Sequence, residues 1–396
     1  MVLKAVVCMK RFVVALSGVR YFPEVALSVA TASFLLGFGG CSSQKSGVSP
    51  PPPHETELIL VANGLSASLS AFTMSTTDGV LAPISGSPFS TQDDADGVAV
   101  DPKGRFVYTA LGSTPLGGVY AFTVTSGTGV LTPVSGTPFA GDTGSFPQSV
   151  AVDPSGKFVY TANTGAYGVW AFTIDSSTGA LNQVTGSPYA PGAECESVVV
   201  HPSGKFLYAL ATGTPNAVIL AYSIDATTGV LTPLAGSPYP ASTGPLGMTV
   251  HPSGNFLYVA DLNSDTVSGY VINANGGLSA VPGSPFHAGS QPYAVAMDPS
   301  GKFLYSANWL SGDVSGYTIN ATTGALTTMS SSPFMVAPEG PHAIAVDPTG
   351  QFVLVGHSGG SVVFDFPIDL NSGNLGSPAT FQTGTYPDGI AIIAMP

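Results

Sequence analysis

Charge is what this chain has least of: charged residues make up 8% of its 396 positions, against roughly a quarter in an ordinary soluble domain. Ten are Lys or Arg and 23 are Asp or Glu, for a net charge of −13. That balance excludes a nucleic-acid partner, because binding a phosphate backbone needs a basic surface to displace counterions. Cysteine is nearly missing too. Cys8 and Cys41 lie in the N-terminal segment, so Cys195 has no partner and a disulfide framework is excluded. Cys195 reads as a small packed thiol. The apolar run over residues 25–38 is too short to span a bilayer comfortably, and neither a nucleotide loop nor a zinc-ligand spacing is present.

What is plentiful is glycine (49) and proline (34), with aromatics at 10% and an apolar fraction of 44%. The apolar fraction argues against disorder, and the turn-formers argue for an all-β chain with many tight turns.

The N-terminus has its own grammar. Lys4, Lys10, Arg11 and Arg20 precede the apolar run, and Gly39, Gly40 and Cys41 follow it: basic, apolar, small, the order of a secretory signal. Its end resembles the bacterial lipobox, which implies a lipidated Cys41 and a domain held in the cell envelope, on the outer membrane given Ser42. An ordinary cleaved signal or an uncleaved anchor is the alternative. The expected layout is a signal over residues 1–40, a Pro-rich tether over 41–57 containing Pro50 to Pro53, and one domain over 58–396.

That domain is a repeat. Asp101-Pro-Lys-Gly-Arg-Phe-Val-Tyr108 recurs with small changes from Asp153, His201, His251, Asp298 and Asp347, a period of about fifty residues. Each unit reads as four strands: a small-apolar one, the Pro-Ser-Gly turn, two aromatic-rich ones, and a last one ending in Ser-Pro or Thr-Pro followed by Phe or Tyr. Four strands per fifty-residue unit indicate propeller blades, with small residues at the crowded axis and aromatics filling the widening gaps. Six full phrases are present. Residues 58–90 lack a first strand and residues 387–393 are a first strand with nothing after it, so together they make a seventh blade that closes the ring without open edges. A seven-bladed β-propeller of four-stranded blades is expected, as a monomer.

The recurring "Pro-Ser-Gly-Lys-Phe-Val-Tyr-Thr-Ala-Asn" and "Thr-Gly-Val-Leu-Thr-Pro" phrases resemble the propeller lactonase family with YVTN-type repeats, which includes 6-phosphogluconolactonases and carboxymuconate-lactonising enzymes. The resemblance implies a site where loops enter the innermost strands, with a His and several Arg binding an anionic lactone. Counting back from each turn proline, the inner position of that ring is occupied by Asp96, Gln148, Glu196, Leu246, Tyr293, His342 and Asp388. None is an arginine. Arg105, Lys103, Lys157, Lys205 and Lys302 all fall in turns at the other end of the first strand, while Asp93, Asp94, Asp142, Glu194 and Glu339 join the acids at the mouth.

Two functions follow. One is a binding module whose acidic mouth takes a cation, a glycan, a small molecule or an envelope protein, with Asp96, Glu196 and Asp388 as oxygen ligands for Ca²⁺. The other is a hydrolase of a neutral lactone or ester, with His342 as general base and Tyr293 as hydrogen-bond donor.

Overall fold

The computed structural model describes residues 56–395 apart from residues 114–116, 141–143, 166–167, 191 and 213–215. The expected signal, Cys41, nearly all of the tether and Asp142 lie outside the described residues. The first strand, Thr56–Asn63, begins two residues ahead of the expected boundary.

The described strands form seven antiparallel sheets. Blade 1 is the split one: Pro387–Ala394 lies innermost and pairs with Thr56–Asn63, from Glu57 opposite Ala394 to Asn63 opposite Pro387. Blades 2 to 7 follow in chain order, with innermost strands Ala95–Val100, Pro147–Val152, Cys195–Val200, Pro245–Val250, Pro292–Met297 and Pro341–Val346.

The turn after each innermost strand shows why the repeated phrase is needed. In Asp153-Pro-Ser-Gly-Lys-Phe, Asp153 Oδ1 accepts the backbone N–H groups of Lys157 and Phe158 at 2.7 Å, and Gly156 adopts φ +68°, which favours glycine. His201 and His251, expected to be turn residues, are just that. Each accepts its own turn's Ser N–H through Nδ1 and reaches the next blade's turn through Nε2, to Gly254 O at 2.8 Å and Gly301 O at 2.9 Å.

Blades are joined by buried apolar clusters, one at each of the seven interfaces among the described residues. Five buried tyrosines add a latch: the hydroxyls of Tyr108, Tyr160, Tyr208, Tyr258 and Tyr305 donate to the carbonyls of Gly179, Gly229, Gly276, Gly324 and Gly373 in the following blade. A buried phenol needs such a partner, so the repeated Tyr fixes the angle between blades as well as filling the gap.

The outer edge differs from the expected single fourth strand. In blade 4 that strand is only Leu231–Pro233, and Tyr239–Pro240 then folds back to pair separately with the third strand. Ser237, just before the proline, has its Oγ 2.9 Å from Ala221 N and accepts that otherwise unpaired N–H. Ser87, Thr137, Ser187, Ser284 and Ser332 do the same in their blades.

Candidate functional site

Every innermost strand begins with a register shift. Ala95 and Gly97 pair with adjacent residues of the second strand, so the register skips Asp96, and the same slip skips Gln148, Glu196, Tyr293, His342 and Asp388, and Leu246 with Gly247. These are the seven ring positions counted from the sequence. A bulge of this kind re-aims one side chain out of the alternating pattern, which is how a sheet presents a residue at its end.

Five of the seven form a continuous arc. His342 of blade 7 is 1% exposed, and its Nδ1 lies 2.8 Å from Asp388 Oδ1 of blade 1. Asp388 in turn shares Gly64 with Asp96 of blade 2: a β-carbon there would lie 2.9 Å from Asp388 Oδ2 and 3.3 Å from Asp96 Oδ1. Asp96 and Gln148 of blade 3 meet at Gly112, where a β-carbon would overlap Asp96 Oδ2 at 1.6 Å and lie 2.9 Å from Gln148 Nε2. Glycine at 64 and 112 therefore makes room for the two carboxylates. At the other end Tyr293 of blade 6 lays its ring on the imidazole, with centroids 3.5 Å apart. Tyr386, in the loop entering blade 1, adds an edge-on ring at 5.1 Å.

Both ring nitrogens of His342 are shielded from solvent and lack a hydrogen-bond partner among the described residues. Asp388 is at ion-pair distance from Nδ1. An imidazole buried this way, touching a carboxylate and gripped by two tyrosines, can accept a proton at Nε2 while Asp388 stabilises the resulting charge.

One expectation needs correction. The proposed Ca²⁺ set of Asp96, Glu196 and Asp388 is not assembled, and no group of three or more His, Cys, Asp or Glu among the described residues is placed to hold a metal. The reason is angular. Glu196 belongs to blade 4, two blades on from Asp96, and its Oε1 accepts Thr212 Oγ1 of its own blade at 3.3 Å. Tyr293, expected as a hydrogen-bond donor, has its ring against His342.

Sequence reasoning missed Tyr386, and it missed Gly64 and Gly112, whose signal was available. The residue after the second strand is Gly in blades 1 and 2, where Asp388 and Asp96 need space, and Thr164, Thr212, Leu262, Trp309 or Ser358 elsewhere. The expectation that no Gly-x-Ser-x-Gly elbow is present overlooks Gly356-His-Ser-Gly-Gly360, which has that spacing. That stretch is a strand-to-strand turn without the required helix, and Ser358 Oγ donates to Gly340 O at 3.2 Å. Cys195 is buried and its thiol is pushed up to about 12 by burial and by Glu196, as suits a packed thiol.

Residues 54–198 match the lactonase seven-bladed β-propeller family. The lactonase-type phrase continues past that stretch to Leu354. A candidate 6-phosphogluconolactonase from Bacteroides fragilis superposes with a TM-score of 0.73 at 20% identity, covering 87% of this chain and 99% of that one. The periplasmic gluconolactonase of Pseudomonas aeruginosa gives 0.71 at 18% identity, covering 86% and 100%. At such identities the likeness establishes the fold of the lactonase-type propeller. No curated protein matches the chain in sequence.

Proposed function

We propose that the mouth hydrolyses a lactone that carries no anionic substituent. The observation that carries this reading is the buried contact of His342 with Asp388 at the bulged ring. The lactonase kinship supports hydrolysis over a purely binding role, and the structural neighbours are described as a gluconolactonase and a candidate phosphogluconolactonase. Charge selects between such substrates. The mouth has no Lys or Arg among the described residues, so a phosphate would meet the carboxylates with no fixed cation to offset them.

In this mechanism His342 Nε2 takes a proton from water as the hydroxide attacks the lactone carbonyl carbon. The ring C–O bond then breaks, and His342 returns the proton to the leaving alkoxide, giving a hydroxy acid. Asp388 stabilises the imidazolium between the two transfers, and no further reactant is needed. Because Nε2 is covered, substrate entry requires one of the flanking rings to shift. Tyr386 is the candidate, since it sits on a loop at φ +63°, a strained value for a tyrosine.

The test is acid release from glucono-δ-lactone, corrected for spontaneous opening. Wild-type protein is expected to catalyse it, and His342→Gln to lose about a hundredfold or more in kcat with a retained melting temperature, the usual size of a general-base contribution. Turnover of 6-phosphogluconolactone is expected to be far slower. Full activity in His342→Gln, or a preference for the phosphorylated substrate, would overturn the reading.

A further inference from the structure

The residue that follows each second strand holds a fixed place at the mouth. Its backbone N–H donates to the carbonyl two residues ahead of the bulged residue: Gly64 to Tyr386, Gly112 to Asp94, and Trp309 to Gln291 at 2.8 Å. At 64 and 112 a β-carbon would meet the bulged residues of its own blade and the next, Asp388 with Asp96 and Asp96 with Gln148. The same geometry at 309 directs a side chain to Tyr293 and His342. Where the acidic end of the arc has glycine, the imidazole end therefore has tryptophan, the largest side chain of the seven at this position. Trp309 is also pinned from the other side, because its carbonyl accepts the N–H of Gly340, two residues ahead of His342, at 2.8 Å.

Trp309 is half-buried, and it does not stand alone. Among the large apolar side chains that the described residues leave exposed, Leu310 (44%) and Met335 (66%) flank this one turn. The segment 335–340 runs alongside 309–313: Met335 lies opposite Asp313, Val336 donates its N–H to Gly312 O, and Gly340 reaches Trp309. Trp309, Leu310, Val336 and Met335 thus line an apolar ridge that starts beside the Tyr293–His342 pair and leads outward. Asp313 is buried and accepts Asn308 Nδ2 at 2.6 Å, which leaves Glu339 as the one exposed charge on the two segments. An exposed apolar strip continuous with a polar site marks the surface that takes the apolar part of a ligand. A sugar substituent would ask for hydrogen-bond partners beside the indole, and Leu310 and Val336 offer none.

We infer that the substrate is a neutral lactone with an alkyl or acyl tail, which lies on the ridge from Trp309 to Met335 while the lactone ring faces His342. This rests on the hydrolase reading and deepens it. Trp309 sets specificity and takes no part in proton transfer.

The test compares δ-valerolactone with δ-decalactone, which has the same ring and a pentyl tail. A methylene taken fully out of water is worth about fourfold in binding, so a tail resting one side on the ridge should gain at least about tenfold in kcat/KM. The gain should appear in KM, since these contacts are made equally in the ground and transition states. The ratio should fall toward one in Trp309→Ala and part-way in Met335→Ser, an exposed position whose substitution leaves the core untouched. Each preparation serves as its own control through the ratio. A wild-type ratio of one or less, or an undiminished ratio in Trp309→Ala, overturns the inference while leaving the hydrolase reading intact. If neither lactone is turned over, the hydrolase reading falls and tryptophan emission decides the ligand class. The chain has two tryptophans and Trp170 is buried, so emission from a solvated indole belongs to Trp309. A shift to shorter wavelength with the pentyl δ-lactam but not with δ-valerolactam supports the tail site. No shift up to the solubility limit of the pentyl lactam overturns it and leaves the ridge to another occupant, such as a partner protein.

Discussion

Asp365 occupies a position where the other blades carry Ala71, Ala121, Ala171, Ala221, Gly269 and Gly316. Its cross-strand partner is Leu354, where five blades have the latching tyrosine. Leucine leaves space that the carboxyl fills. A β-carbon on Gly79, in the next blade's turn, would lie 2.5 Å from Asp365 Oδ2. Burial, with Asp347 nearby, raises this carboxyl from 3.8 to about 7. A folded value above the unfolded one means that its contribution to stability is complete below about pH 4 and is lost as pH rises through about 7. Three units correspond to on the order of 4 kcal/mol at most. Asp261, raised to about 6 by burial, acts in the same direction. Melting temperature should therefore fall between pH 5 and pH 8. Asp365→Asn should flatten that fall and melt higher than wild type at pH 8. Parallel wild-type and Asp365→Asn curves would show that the carboxyl is not protonated in the folded ring.

At the scale of elements, the strand Pro387–Ala394 does two jobs. It covers the edge of Thr56–Asn63, whose Leu58, Ile59, Leu60 and Val61 are fully buried, and it carries Asp388. Deleting residues 387–396 uncovers that edge and part of two inter-blade clusters, so the protein should aggregate or lose cooperative melting. A deletion variant that melts like the parent would refute closure by the chain ends. The blade plan was legible in the sequence because each blade solves the same problem with the same residues: Asp or His to cap the turn, Gly for positive φ, Tyr to latch. The site was legible in position, since the bulged residue stands at a near-constant distance before the turn proline. Which bulged residues meet was not legible. That depends on reach across blades and on the residue after the second strand, so Glu196 turned to Thr212 while Asp96 and Asp388 found space at Gly112 and Gly64.

Taken as a whole, the propeller is electrically lopsided. The basic residues Lys103, Arg105, Lys157, Lys205 and Lys302 sit at one end of the innermost strands, and the arc of Tyr293, His342, Asp388, Asp96 and Gln148 sits at the other. Such a distribution favours cations at the mouth and turns anions away. We propose that Cys41 and the Pro-rich tether hold this ring in the cell envelope. The central claim is that chemistry happens at the arc, and a crystal structure of the propeller with a non-hydrolysable lactam tests it most directly. The account predicts the lactam carbonyl within hydrogen-bonding reach of His342 Nε2, with Tyr386 displaced from its present position. A lactam bound at another place, with both nitrogens of His342 still covered, would contradict it.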